Sequence, residues 1–282
     1  MTLEPGAFAL ICKLVYEQTA IVLEAGKEYL VESRLAPLVR ARACRDVNEL
    51  CLQLARPDEA LLAELVEAMT TNETSFFRDR LPFDALEQTV LPELVARRAQ
   101  SRTLRIWCAA CSTGQEPYSV AMLLEDCFPE LASWNVIIRA TDVSKPVLAR
   151  AQQGVYRQDE VNRGLGTQAL TRHFVRRGDD WSIKPTLRSA VRFEHLNLNG
   201  TWPHAPRFDL ILLRNVLIYF DQTTRLAVLR KVRRQLADDG YLVLGGSETL
   251  PHEMRALEKV PIVRAGVYRA VKQRPSTSSH AR

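Results

Sequence analysis

Several things are missing from this 282-residue sequence, and each absence removes a class of function. No apolar run approaches the ~20 residues of a membrane-spanning helix. The opening segment MTLEPGAFALICKLVYEQ has no basic region leading to a small-residue cleavage site. A cytoplasmic protein without membrane insertion is therefore expected. Six cysteines in a chain of this length, with no leader, read as reduced thiols rather than a disulfide framework. Cys108 and Cys111 form a CxxC, but no second pair and no nearby histidine completes a closed zinc site, so no metal is expected. The net charge is +5, yet the arginines are dispersed and no basic stripe is interleaved with aromatics, which gives no argument for nucleic acid. Internal repeats are absent as well.

What is present is ordinary globular composition, 46% apolar and 25% charged, enough to bury a real core. The length suits one large α/β domain and a small companion. Residues 1–75 read as helical: apolar residues recur at helical spacing in Phe8, Ile11, Leu14 and Val15, and again in Leu50, Leu54, Leu61, Leu62, Leu65 and Met69. Pro57-Asp58 reads as a helix start with acids in the first turn.

From about residue 102 the pattern changes to strand-like runs at 104–110, 135–142, 191–198, 208–216 and 240–246. Helical stretches lie between the first two and between the last two. Alternation of this kind predicts a mostly parallel sheet with helices on both faces, with ligands bound at the carboxyl ends of its strands. Residues 154–190 interrupt the rhythm and read as an insertion, with short strands around His173–Val175 and Trp181–Ile183. The final QRPSTSSHAR is polar and low in complexity, so a disordered tail is expected over 271–282.

Candidate chemistry sits where that logic places it. The first strand runs into CSTGQEPYS, whose single Gly114 lacks the other glycines of a dinucleotide fingerprint and the GK[ST] of a P-loop. Asp142 ends the second strand, where an acid can accept from ribose hydroxyls; a plain helix N-cap is the alternative. Glu116 opens the following helix, where it can offset the macrodipole or meet a cationic ligand group. Acids without a phosphate cradle fit S-adenosylmethionine (SAM), which carries a sulfonium and an ammonium, better than a dinucleotide. Asn197 can read adenine edges or satisfy a turn. Arg214 and Asn215 interrupt an apolar run, and a buried charge needs a partner, so they are either functional or a structural salt bridge. Thr70–Arg78 joins the two domains and reads as either a ligand-binding linker or a capped helix start.

Together these segments resemble the CheR family of chemoreceptor glutamate methyltransferases, in MTTNETSFFRD (69–79), RIWCAACSTGQEPYSVAMLL (105–124), ATDVSKPVLARAQQGVY (140–156), FEHLNL (193–198), FDLILLRNVLIYFD (208–221) and GYLVLGGSE (240–248). The resemblance covers most of residues 10–270, and NETSFFRD and RNVLIYFD are specific to the family. It implies a Rossmann-like SAM-binding domain over 76–270, with a small β-subdomain at 154–190, capped by an all-helical domain and linker over 1–75. It implies a cofactor set of Asn72, Thr74, Arg78, Glu116, Asp142, Asn197, Leu198, Arg214 and Asn215, with Arg78 and Tyr219 near the methyl acceptor. The turn departs from relatives that have STGEEP, because Gln115 stands in place of the first acid.

The implied reaction is methyl transfer from SAM to a glutamate carboxylate on the cytoplasmic methylation helices of chemoreceptors. A glutamate is already ionised at neutral pH, with a reference pKa of about 4.3, so no general base is required. Positioning and water exclusion would then supply the catalysis. For the receptor, Arg34, Arg42 and Arg45 fall within about 80° of one another on an α-helix, in a stretch (33–45) with four arginines and no acids; a solvated face is the alternative, and Pro37 weakens the geometry. The insertion is short relative to members that dock a receptor pentapeptide by strand addition, which implies recognition without that tether. A monomer is expected. Two other readings stay open: a SAM methyltransferase for RNA or a small molecule, and a SAM-binding scaffold without catalysis.

Overall fold

The computed structural model describes residues 3–56, 58–262 and 264–271; the expected tail over 271–282 falls almost wholly outside the described residues, as does Pro57. Four helices come first: α1 (Pro5–Thr19), α2 (Glu28–Ala41), α3 (Val47–Leu54) and α4 (Glu59–Met69). Two have caps legible in the sequence. Asp46 accepts from the Glu49 N–H and Asp58 from the Leu61 N–H, satisfying donors that a helix start leaves free. Ile11, Val15, Val31, Leu35, Leu50 and Leu65 close a separate core between these helices. α2 runs through Pro37 as one helix.

The linker leads into α5 (Leu81–Ala85), a π-helical turn (Leu86–Val90) and α6 (Leu91–Arg98). The α/β domain follows, with β1 (Thr103–Ala109), α7 (Gln115–Cys127), β2 (Asn135–Asp142) and α8 (Lys145–Gln153). Next is the insertion: β3 (Val155–Arg157), α9 (Gln158–Asn162), α10 (Thr167–His173), β4 (Phe174–Arg177), β5 (Asp180–Ile183) and α11 (Pro185–Ala190). The chain ends with β6 (Val191–His195), β7 (Phe208–Leu213), a 3₁₀ turn (Leu217–Tyr219), α12 (Gln222–Gln235), β8 (Leu236–Leu244), β9 (Leu257–Lys259) and β10 (Val267–Ala270).

The main sheet has the order β6-β2-β1-β7-β8-β10-β9. Its first five strands pair in parallel, while β10 runs antiparallel to both β8 and β9. Strand side chains alternate between faces, and here both faces are buried. Ile106, Leu210, Leu212, Tyr241 and Val243 join Tyr118 and Leu148 on one side. Trp107, Ile211, Leu213, Leu242 and Leu244 join Val228, Leu229 and Val232 of α12 on the other. Burial on both faces is why these strands read as continuous apolar runs. The insertion forms its own antiparallel sheet, β3-β5-β4, closed between β4 and β5 by Gly178-Asp179 with Gly178 at φ 62°. Both strands expected there are present; the short β3 was not anticipated.

Candidate active site

The carboxyl ends of β1, β2 and β7 converge beneath the linker. After β1 the chain turns tightly. Ala110 and Ser112 take left-handed values (φ 57° and 50°), and Gly114 sits at φ 94°. A Cβ on Gly114 would lie 2.9 Å from the Ala151 Cβ and 3.2 Å from the Tyr156 hydroxyl, so this turn has no room for a side chain. The neighbouring Gln115 is buried and accepts from the Thr113 hydroxyl at 2.8 Å.

Asp142 ties the turn to the end of β2. Its carboxylate accepts from the Ser112 N–H at 2.8 Å and from the Ser144 N–H at 3.0 Å. α8 is capped by Ser144, whose hydroxyl accepts from the Val147 N–H, so the N-cap alternative for Asp142 does not hold. A carboxylate offers about four acceptor positions, which leaves Asp142 room for hydroxyl donors from a ligand. Burial pushes its pKa up against the pull of the N–H donors.

Arg214, directly after β7, is the joint of the site. Its side chain is 1% exposed and donates to Glu116 at 2.9 Å, to Asp79 at 2.9 Å and to the Arg78 carbonyl at 2.8 Å. The guanidinium also lies 5.5 Å from the Phe83 ring centroid, and its buried Nε has no partner among the described residues. Arg214 therefore forms a structural salt bridge, one that locks the linker onto the carboxyl end of the sheet. Burial raises the Glu116 carboxyl, and Arg214 pulls it back.

The linker is extended rather than the start of a helix. The Asn72 carbonyl accepts from the Ser112 hydroxyl at 2.8 Å, and the Phe77 N–H donates to the Ser119 hydroxyl at 2.9 Å. Phe77, Asp79 and Arg80 all take left-handed backbone values (φ 47°, 67° and 43°). For residues other than glycine this costs on the order of 1–3 kcal/mol each, and it persists only where surroundings enforce it. Asn72 and Thr74 line a cleft of about 450 Å³ together with Thr113, Gln115 and Arg163 of the insertion. Arg78 is half-buried, and its guanidinium donates to the Glu73 carbonyl.

Beyond β6, the Asn197 amide donates one N–H to the Gln18 carbonyl at 2.5 Å and accepts from the Asn199 N–H at 2.9 Å, which leaves one N–H and one acceptor position. The turn-satisfying role thus describes what it does here, and it also ties the end of α1 to the sheet. Leu198 is buried beside it. Asn215 sits at φ 57°. Tyr219 is half-buried, its hydroxyl has no hydrogen-bond partner among the described residues, and its carbonyl accepts from the Val22 N–H at 2.9 Å.

The arginines expected to meet the receptor do not form a free cationic face. α2 ends at Ala41 and Ala43 takes φ 52°, so Arg45 lies off the helix. Arg42 pairs with Glu64 at 2.8 Å, and Arg45 with Glu49 at 3.0 Å. Arg34 donates to the Met69 carbonyl and the Thr71 hydroxyl, both at 2.7 Å, and so clamps the linker. The stretch 33–45 has no acids, but α3 and α4 supply them in space.

Two residues were missed. Asp79 shares Arg214 with Glu116. Glu248, 6% exposed, accepts from the N–H groups of Asn215 (2.8 Å), Val216 (3.0 Å), Leu217 (2.8 Å) and Gly245 (2.7 Å). The available signal for Glu248 was an acid just beyond a Gly-Gly pair at a strand's carboxyl end. Cys108 and Cys111 are buried free thiols. No group of three or more His, Cys, Asp or Glu among the described residues is placed to hold a metal ion.

Comparison with known proteins decides the family. Residues 72–265 match the model described as CheR methyltransferase, SAM binding domain, and residues 6–70 match CheR methyltransferase, all-alpha domain. The chain belongs to the CheR methyltransferase family. Chemotaxis protein methyltransferase 1 of Pseudomonas aeruginosa is 38% identical over 93% of this chain and 97% of that protein. Chemotaxis protein methyltransferase Cher2 of Pseudomonas putida is 39% identical over 82% and 85%. A chemotaxis protein methyltransferase of Borreliella burgdorferi is 35% identical over 85% and 87%. Like its family, the chain is a SAM-dependent methyltransferase, built from a helical domain and a SAM-binding domain on a mostly parallel sheet. The donor set suits that cofactor: the buried Asp142 is tied to the Gly114 turn with acceptor positions to spare, and Glu116, largely buried and paired on one side with Arg214, is a second carboxylate next to that turn that a cationic ligand could meet. No helix among the described residues is long and apolar enough to cross a membrane.

Proposed function

We propose that the protein methylates glutamate side chains on the cytoplasmic methylation helices of chemoreceptors, giving a glutamate methyl ester and S-adenosylhomocysteine. It acts in the cytoplasm as a monomer. Membership of a chemotaxis methyltransferase family across both domains carries this reading. The cofactor would be held by Asn72, Thr74, Glu116, Asp142, Leu198 and Asn215 around the Arg214 joint, and it supplies a methyl group on a cationic sulfur. The residues of the chain then have a limited task. An ionised acceptor carboxylate needs no base, so the protein must orient it and exclude water. Tyr219 has a hydroxyl free to donate to the acceptor, and Arg78 can swing from the Glu73 carbonyl to do the same. A permanent ion pair at Arg78 would blunt the nucleophile, so this contact forms only transiently. Recognition of the helices themselves, without a peptide tether, is part of this proposal.

The test is transfer from methyl-labelled SAM to receptor cytoplasmic fragments, with the label released as methanol by alkali, as an ester requires. Arg78→Ala and Tyr219→Phe should each lower turnover by about 10²-fold, the scale of a misplaced reacting group, while S-adenosylhomocysteine binding changes little for Tyr219→Phe. Label on no receptor, or full turnover in both variants, refutes the assignment.

A further inference from the structure

Glu248 has no part in the reading above, yet its surroundings are unusual. It is a carboxylate almost out of reach of solvent, with four hydrogen bonds, all from backbone N–H groups, and no ion pair among the described residues. Three of those donors are consecutive: Asn215, Val216 and Leu217. This stretch leaves β7 immediately after Arg214 and carries the chain to Tyr219. Asn215 holds φ 57°, a value a non-glycine residue keeps only under constraint. The fourth donor, Gly245, closes the arrangement. A Cβ there would lie 2.7 Å from Glu248 Oε2 and 2.9 Å from both the Asn215 N and Nδ2. The end of β8 and the turn after β7 are thus pressed together around one carboxylate.

From this geometry we infer that Glu248 is a positioning residue for methyl transfer: it gathers the 215–217 N–H groups and thereby fixes where Asn215 and Tyr219 present their side chains. The chemistry favours a carboxylate over other acceptors. Only an ionised acid provides two oxygens that both accept and neither donates. A glutamine of the same shape would turn an NH₂ toward N–H donors and leave at least one of them unpaired and buried. This inference rests on the proposed roles of Asn215 and Tyr219, so its test includes a readout that needs no acceptor.

The full chain would be compared with Glu248→Gln and Glu248→Asp by amide hydrogen exchange, S-adenosylhomocysteine binding and methyl transfer. In Glu248→Gln, exchange at Asn215–Leu217 should accelerate at least tenfold while the β1 and β2 amides stay protected. Turnover should drop by ten- to a hundredfold, and the loss in Glu248→Asp should be smaller. Tyr219→Phe should cost less in the Glu248→Gln background than in the wild type, because both changes act through one group. Unchanged exchange at 215–217, or full additivity with Tyr219→Phe, overturns the inference. Should Glu248→Gln fail to fold, Glu248→Asp carries the same exchange and additivity measurements with the same outcomes deciding. If no receptor accepts methyl groups at all, the glutamate reading fails; accelerated exchange with weakened S-adenosylhomocysteine binding would then still uphold the positioning role.

Discussion

On the proposed reading, in which Glu116 meets the cofactor, one residue answers to both stability and binding. Its carboxyl is held above its ordinary value mainly by burial, with Arg214 opposing. An acid whose folded pKa is raised binds its proton more tightly in the native state, so between the ordinary and the raised value its contribution to stability declines as pH rises. Cofactor affinity runs the other way. A cationic ligand needs the ionised form, which is lost as pH falls through the raised value. SAM binding should therefore weaken on acidification beginning above the ordinary glutamate pKa. Glu116→Gln should flatten that dependence and reduce affinity at neutral pH by roughly 10- to 100-fold, the worth of a hydrogen bond to a charged group. Calorimetric titrations across pH on both proteins would show it; identical pH profiles would remove Glu116 from the cofactor's charge recognition. Residue-scale legibility was partial here. Glu116, Asp142 and Arg214 stood out because charges at the ends of apolar strands are conspicuous. The Gln18 partner of Asn197 and the Glu64 partner of Arg42 did not, because they are distant in sequence, and Glu49, the partner of Arg45, lies just past the acid-free stretch.

The elements show the same division. β7, the core of β8 and the carboxyl half of β1 were legible because burial on both faces produces apolar runs bounded by turn residues, whereas β2 and the edge strand β6 are only partly buried and carry Arg139, Arg192 and Glu194. β3, β9 and β10 span three or four residues each and pair with neighbours that no local pattern identifies. Pro37 warned of a break in α2, yet tertiary packing of Val31, Leu35, Leu38 and Val39 carries the helix through. The insertion also has a mechanical link that its composition hides. Gly164, just past α9, sits at φ 102°, and a Cβ there would lie 1.8 Å from the Phe76 carbonyl oxygen. Beside it, Arg163 pairs with Glu73 at 3.0 Å. The insertion thus rests directly on the linker that bears Asn72, Thr74 and Arg78. Gly164→Ala should destabilise the protein by on the order of 2–4 kcal/mol through backbone strain and steric exclusion, and should raise the KM for SAM. Arg163→Ala, which removes only an exposed pair, should cost about 0–1 kcal/mol. Denaturant melts and initial rates on the two variants separate these cases; equal effects would mean that the backbone contact is not what couples insertion to linker.

At the scale of the molecule, the helical domain is joined to the α/β domain by more than the linker. Tyr16 donates to Asp221 at 2.7 Å, the N-cap of α12. Ile21 bridges to Phe220 and packs against both the helical core and the sheet core. The Val22 N–H reaches the Tyr219 carbonyl, and the Gln18 carbonyl receives the Asn197 amide. The sequence could suggest a two-domain division from the shift in periodicity, but not this second seam, which joins residues about 180 to 200 positions apart. Such a seam makes the two domains one folding unit, with the candidate site along it. Thermal unfolding should then be a single transition. S-adenosylhomocysteine at a hundred times its Kd adds about 2.7 kcal/mol to the native state, which should move that whole transition by roughly 4–5 °C. Ile21→Asp, which places a charge between both cores, should split the melt so that ligand shifts only the upper part. Two ligand-independent transitions in the unaltered protein would mean that the seam does not couple the domains and that the linker alone brings Arg78 to the sheet.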